Sequence, residues 1–279
     1  YIRPEGAGLM VGLFEGVAAP WSVPAVPQDF SFGEIKPDWD RMGPYVEAAM
    51  SRVPATLDAG IRKFFCGPES FTPDLSPLFG EVPEVRNYFV AAGLNSIGIL
   101  TGGGIGRAMA HWVHTGDPDI DITAMDVRRL QPFQTTPAYR AARVSESLGL
   151  VYACHYPNRD TSTARGAKRS PVHERLARAG AHFRDVSGWE GADWYAPDAA
   201  GAPDPGPLTF GRRTWFDTWA AEHRAVREGV GLMDMSFMAK FLVQGPDAGR
   251  VLDHLSTAHV DAALPLGADG SPQGRVTYT

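Results

Sequence analysis

Apolar residues in this chain recur with two different periods, and the switches between them predict its elements. Tyr1–Arg3 and Leu9–Phe14 flank a turn through Pro4–Gly8, which predicts an amino-terminal hairpin. Pro44 suits a first helical position, and Tyr45, Ala48, Ala49 and Val53 predict the buried face of the helix that follows. Ile61–Phe65 and Tyr88–Leu94 read as strands, the second a short apolar run rich in aromatic and small residues. Ile105, Ala108, Met109, Trp112 and Val113 then fall at i, i+3, i+4, i+7 and i+8, one face of a helix that Gly116-Asp117-Pro118 ends. Helices are also expected over Pro137–Leu148 and over Trp215–Val230, the latter with Trp219, Ala220, Ala225 and Val226 inward. Lys240–Gly245 reads as a strand. Asp247 should cap a helix whose apolar face is Val251, Leu252 and Leu255. Arg275–Thr279 alternates like a strand, while Pro20, Pro24, Pro27 and Pro37 mark a surface loop, as does the proline-rich stretch 196–209.

The most informative stretch is Asn87–Pro118. Gly102, Gly103, Gly104 and Gly106 stand between the strand and the apolar helix face, so the pattern predicts strand, glycine loop, helix start. Free amides at a helix start attract phosphate or the electron-rich edge of a heteroaromatic ring. The spacing departs from the dinucleotide fingerprint, because Arg107 occupies the place of its third glycine. By itself the pattern also fits a tight turn that holds no ligand.

Bulk properties narrow the field. A chain of 279 residues with 44% apolar and 21% charged residues belongs among ordinary globular proteins and can hold roughly two domains. A net charge of −6 argues against nucleic acid or an anionic membrane as partner, and no apolar run is long enough to span a bilayer. Cys66 and Cys154 form neither a disulfide framework nor a metal motif. The start at Tyr1 without methionine and the strand-like close at Thr279 suggest an internal segment of a longer polypeptide.

Several candidate chemistries dissolve on inspection. His111 and His114 have a ligand-like spacing but no carboxylate or thiol partner in sequence, which leaves no metal site. Cys154 and His155 are adjacent, so on a strand they would point to opposite faces. Tyr1 and Arg3 are more promising. On a strand they share one face, presenting a phenol beside a guanidinium.

The ordered series Gly67–Ser96, the glycines at 102–106, His114–Pro118, Asp126–Arg129, Ser170–Glu174, Gly188–Tyr195 and Met233–Ala248 resembles the dimethylglycine and sarcosine dehydrogenases and oxidases. The resemblance implies a mixed α/β (α+β) chain in three parts. Residues 1–116 would be the end of a D-amino-acid-oxidase-like FAD and substrate domain, 117–170 a small central domain, and 171–279 the start of an aminomethyltransferase-like folate-binding domain. It implies FAD and tetrahydrofolate as cofactors, an N-methyl amino acid as substrate, and oxygen or an electron-transfer flavoprotein as acceptor. No nucleic acid or membrane partner is implied. The compartment would be the cytoplasm in a bacterium or the mitochondrial matrix in a eukaryote. Tyr1 and Arg3 would lie beside flavin and substrate. Asn95, Ser96, Ile97, Gly98, Ile99, Leu100, Gly102 and Gly103 would wrap the flavin ring, and Tyr278 would contact folate. Two rivals stay open at this point: a non-catalytic regulator of the same architecture, like the regulatory subunit of pyruvate dehydrogenase phosphatase, and a folate-dependent transferase with a vestigial flavin half.

Overall fold

The computed structural model describes residues 1–21, 25–196, 198 and 201–260. In it Tyr1–Asp234 forms one compact unit, and the described residues from Met235 onward form a second.

The first unit is a mixed assembly of short hairpins and helices. Strands β1 (Ile2–Glu5) and β2 (Gly8–Val11) pair antiparallel with Arg3 opposite Met10. Helix α1 (Trp39–Arg52) starts five residues earlier than Pro44 suggested, because the Asp38 carboxylate accepts the Arg41 amide at 3.0 Å and caps it there. Residues 61–65 form no strand and make only an isolated bridge next to them, Ile35 with Cys66. Strands β3 (Leu78–Glu81) and β4 (Phe89–Ala92) pair antiparallel, and helix α2 (Gly98–Thr115) follows. Helix α3 (Pro137–Tyr152) is capped by Thr136, whose hydroxyl accepts the Tyr139 amide at 3.4 Å.

Phe79, fully buried, packs with Ala108, Trp112 and Ile122, and Phe89, Ile105, Met109 and Met125 close around them. Burying aromatic surface is the main favourable contribution here, about 25 cal/mol per Å² removed from water. Gly80, at φ +120°, is required by this cluster: a Cβ would come within 2.7 Å of the Trp112 ring.

After α4 (His173–Arg178), strands β5 (Ala181–Val186) and β6 (Trp189–Tyr195) form the longest hairpin, which the apolar pattern did not announce. Its loop, Ser187-Gly188, has positive φ at both residues (+50° and +84°), as a two-residue turn matching strand twist demands. That Ser-Gly pair was the available signal. Trp194 is buried between His182 and Trp215, stacked on both rings at 5.0 and 5.7 Å. Helix α5 (Phe216–Glu228) follows, with Trp219 and Val226 exposed instead of inward. The segment before α4 is tied to the hairpin by charge. Arg165 pairs with Asp160 at 3.2 Å and Glu190 at 2.5 Å, Asp160 accepts the Asp185 amide at 2.9 Å, and Arg143 reaches Asp185 at 3.1 Å. Burial alone would raise the Glu190 carboxyl, but hydrogen bonds from Arg165 and Gly166 outweigh it and hold the group below its ordinary range.

In the second unit helix α6 (Ala248–Leu255) is present, while residues 240–245 form no strand. Asp247 stands at the cap position, but its carboxylate pairs with Arg250 at 3.0 Å instead of with a backbone amide. The expected strand over 275–279 lies outside the described residues.

Candidate functional site

The expected glycine loop is helix. Thr101 donates its amide to the Ile97 carbonyl at 3.0 Å, so α-helical bonding is under way before Gly102. Once nucleated, a helix gains one bond per added residue, and the burial of Ala108 and Trp112 further along outweighs the roughly 1 kcal/mol that each glycine costs. Gly102, Gly103 and Gly106 therefore stand on an exposed helix surface, with no atom within 4 Å of where a Cβ would be.

The start of α2 is open. Ile97 provides no side-chain cap, the first turn has no acidic residue, and no described group accepts from the amides of Gly98, Ile99 and Leu100. Three aligned donors and the positive end of the helix dipole thus face outward unneutralised. Beside them Ile99 and Leu100 are 105% and 83% exposed. The surface is apolar, backbone-bare and electropositive at one end.

Asn95 and Ser96, expected to touch a ligand, do other work in the chain. Asn95 is 3% exposed. Its Oδ1 accepts the Thr72 amide at 2.8 Å and its Nδ2 donates to the Gly93 carbonyl at 2.8 Å, clipping the 72–76 turn to the end of β4. With φ at +50° and +69°, Asn95 and Ser96 turn the chain from strand into helix. The Ser96 hydroxyl accepts a hydrogen bond from the Tyr152 hydroxyl at 2.6 Å.

Tyr1 and Arg3 do lie over one face of the hairpin. The Tyr1 hydroxyl is 4.0 Å from the sulfur of Met10, the residue opposite Arg3, and the Tyr1 ring covers Gly12. Arg3 pairs with Glu5 at 3.1 Å, both side chains more than half exposed. Such a pair is worth at most about 1 kcal/mol and exchanges readily for a better partner.

The structure brings Tyr1 and Ser96 into one chain of contacts. Tyr1 tilts against Phe14 at 5.9 Å, Phe14 stacks on Tyr152 at 3.5 Å and 13°, and Tyr152 bonds Ser96. Neither Phe14 nor Tyr152 stood out in the sequence, since long-range aromatic stacking leaves no periodicity. Tyr278 lies outside the described residues. His155 turns its ring back to the Val151 carbonyl, 2.8 Å away. Among the described residues no group of three or more His, Cys, Asp or Glu is placed to hold a metal. Also among them, no helix is long and apolar enough to cross a membrane.

A cleft of about 730 Å³ opens at the opposite end of α2, lined by Glu81, Trp112, Asp121, Asp126 and Arg128 among others. The hydrogen bond from Arg128 holds the Asp126 carboxyl below its usual range. Trp112, the residue of α2 in its lining nearest the helix start, is about 21 Å along the axis from Gly98 at 1.5 Å per residue.

Comparison with known proteins puts a family on these features. Residues 1–112 match the model described as FAD dependent oxidoreductase, 115–170 its central domain, and 172–278 the GCVT N-terminal domain. The chain is 45% identical over 264 residues to a 4-methylaminobutanoate oxidase (formaldehyde-forming) of Paenarthrobacter nicotinovorans, covering 94% of this chain and 31% of the relative. It is 33% identical over 307 residues to human mitochondrial sarcosine dehydrogenase, covering 100% of this chain and 32% of the relative. The mouse pyruvate dehydrogenase phosphatase regulatory subunit is 32% identical over 275 residues, covering 96% and 30%.

The chain belongs to the sarcosine and dimethylglycine dehydrogenase family. It spans about a third of the length of these relatives. The mixed α/β reading and the flavoenzyme resemblance are both borne out. The α2 start fits the family's FAD: open amides suit an electron-rich ring edge, no carboxylate in the first turn opposes it, and Ile99 and Leu100 suit an aromatic face.

Proposed function

We propose that this chain supplies the substrate side of an FAD-dependent oxidoreductase that demethylates an N-methylated amino acid and hands the carbon to tetrahydrofolate or releases it as formaldehyde. The observation that carries this is the order of three matches along one chain: flavoenzyme, flavoenzyme central domain, GCVT domain. The division 1–116, 117–170 and 171–279 goes with it. When bound, FAD supplies a two-electron acceptor for the N-methyl C–H bond, leaving an iminium that water hydrolyses to formaldehyde and the demethylated amine.

The chain's own residues have distinct parts in this reading. Gly98, Ile99 and Leu100 would present their amides to the flavin ring edge, and such fixed dipoles would stabilise negative charge there without reorganising. Ile97, Ile99 and Leu100 exclude water, and Gly102 and Gly103 keep the neighbouring helix surface bare. Arg3 exchanges Glu5 for the substrate carboxylate, which its planar fork can bind through two bonds, and Tyr1 flanks it. Tyr278 contributes an aromatic face to folate. Oxygen or an electron-transfer flavoprotein would be the electron acceptor. Substrates in view are sarcosine, dimethylglycine and 4-methylaminobutanoate, the last named for the 45% identical relative.

A regulatory reading is favoured by the 32% identity to the phosphatase subunit. Anaerobic addition of the three amines to the full-length protein separates the two. Bleaching of the bound flavin by at least one amine, with formaldehyde release that tetrahydrofolate suppresses, is the expected result. Bound flavin that none of them bleaches would favour the regulator.

A further inference from the structure

Tyr152 has no part in the reading above, yet it stands where two halves of the proposed site meet. It is the last residue of α3, and its ring and hydroxyl have separate tasks. The ring lies flat on Phe14 at 3.5 Å, and Phe14 in turn holds Tyr1. The hydroxyl donates to Ser96 at 2.6 Å, one residue before the helix-capping Ile97. Ser96 is also the second of two consecutive non-glycine residues with positive φ. Such a conformation persists only where surrounding contacts over-determine it. Asn95 is held by Thr72 and Gly93; for Ser96 the only side-chain bond among the described residues is the one from Tyr152.

The stack itself is imposed by backbone packing. Ala18 donates its amide to the Ser145 carbonyl of α3 at 2.8 Å, and a Cβ on Gly149 would fall 2.2 Å from the Gly16 carbonyl oxygen. Only glycine at 149 lets residues 14–18 lie against α3 closely enough for Phe14 to reach Tyr152. The Arg41 guanidinium secures the same segment through Glu15 at 3.2 Å and the Val17 carbonyl at 2.6 Å.

We infer that Tyr152 is a positioning residue that fixes the open start of α2 against the Tyr1 face of the hairpin, by stacking on one and hydrogen bonding to the other. This rests on the reading that places flavin at the α2 start and substrate at Tyr1 and Arg3. Its consequence is that the distance between the electron-accepting and amine-holding groups is set from α3, outside the matched segment 1–112.

The test uses the full-length protein with Tyr152→Phe, Ser96→Ala and the double variant. Phenylalanine keeps the stack and removes the bond. Exchange of the Ile97 and Thr101 amides, which bond to carbonyls at the α2 start, should quicken roughly two- to tenfold in Tyr152→Phe, the range one neutral hydrogen bond spans, with exchange around Phe79 and Trp112 unchanged. The rate of flavin reduction at saturating amine should fall while KM stays within about twofold, and the flavin midpoint potential should move. The double variant should be no worse than the worse single one, since each removes the same bond. Faster exchange everywhere, or no change at Ile97 and Thr101, would overturn the inference, as would an unchanged reduction rate and potential. Wild-type protein that holds no flavin would sink the underlying reading as well; a wild type that is reduced by amine beside an indistinguishable Tyr152→Phe would sink this inference alone.

Discussion

The two halves of α2 are built for opposite purposes. From Ile105 onward the helix puts Ala108 and Trp112 into a buried apolar cluster with Phe79 and Ile122. From Gly98 to Gly104 it presents four glycines, two nearly bare aliphatic side chains and, in its first turn, amides without acceptors. One helix thus has an anchored end and a presented end. The first gives the second its rigidity: a glycine-rich start that would fray alone is held helical by the burial of the other end. Catalytic dipoles contribute most when they need no reorganisation, and such an anchor provides that.

The largest effect should come from the anchored half. Trp112→Ala removes a 7% exposed ring from the core and should cost about 3–5 kcal/mol in chemical denaturation. It should also leave the amides of residues 101–104, the first to bond within the helix, unprotected in hydrogen exchange. A start that stays protected without Trp112 would mean that the two halves are independent.

Substitution in the presented half should act with opposite signs in two assays. Gly103 has open space where a Cβ would stand, so Gly103→Ala should stabilise the chain by roughly 0.5–1 kcal/mol through helix propensity. In the full-length protein Gly103→Val should lower flavin content, because the added side chain occupies the surface that the ring approaches. Normal flavin content in that variant would remove the ring from this face.

The smallest effect separates the halves by pH. Asp126, 9% exposed beside Phe79, has its carboxyl held by Arg128 below the ordinary value of 3.8. A depressed carboxyl contributes stability that is present above 3.8 and is lost as pH falls through the lower folded-state value. The denaturation midpoint should therefore drop between pH 4 and pH 2. The Gly98–Leu100 amides have no titrating partner, so flavin affinity of the full-length protein should not follow that drop.

Much of the secondary structure was legible because it rests on local chemistry. The 3.6-residue recurrence from Ile105 to Val113, Thr136-Pro137 at the start of α3 and the Gly116 stop could each be read from neighbours in sequence. So could the hairpin that places Tyr1 and Arg3 on one face. The family could be read from an ordered series of short motifs.

What the tertiary structure decided were the matters in which distant residues compete with local preference. Glycine propensity put a loop at 102–106, and the burial of Trp112 six residues away made it helix. Nothing in the sequence near Asn95 announced its buried hydrogen bonds with Thr72, a residue distant in the chain. Residues 61–65 have the apolar content of a strand but found no partner ladder, and a strand's backbone groups need one. Tyr152 carried no signal at all, because its role depends on Gly149 admitting the Gly16 backbone, and such a close approach exists only once the chain has folded.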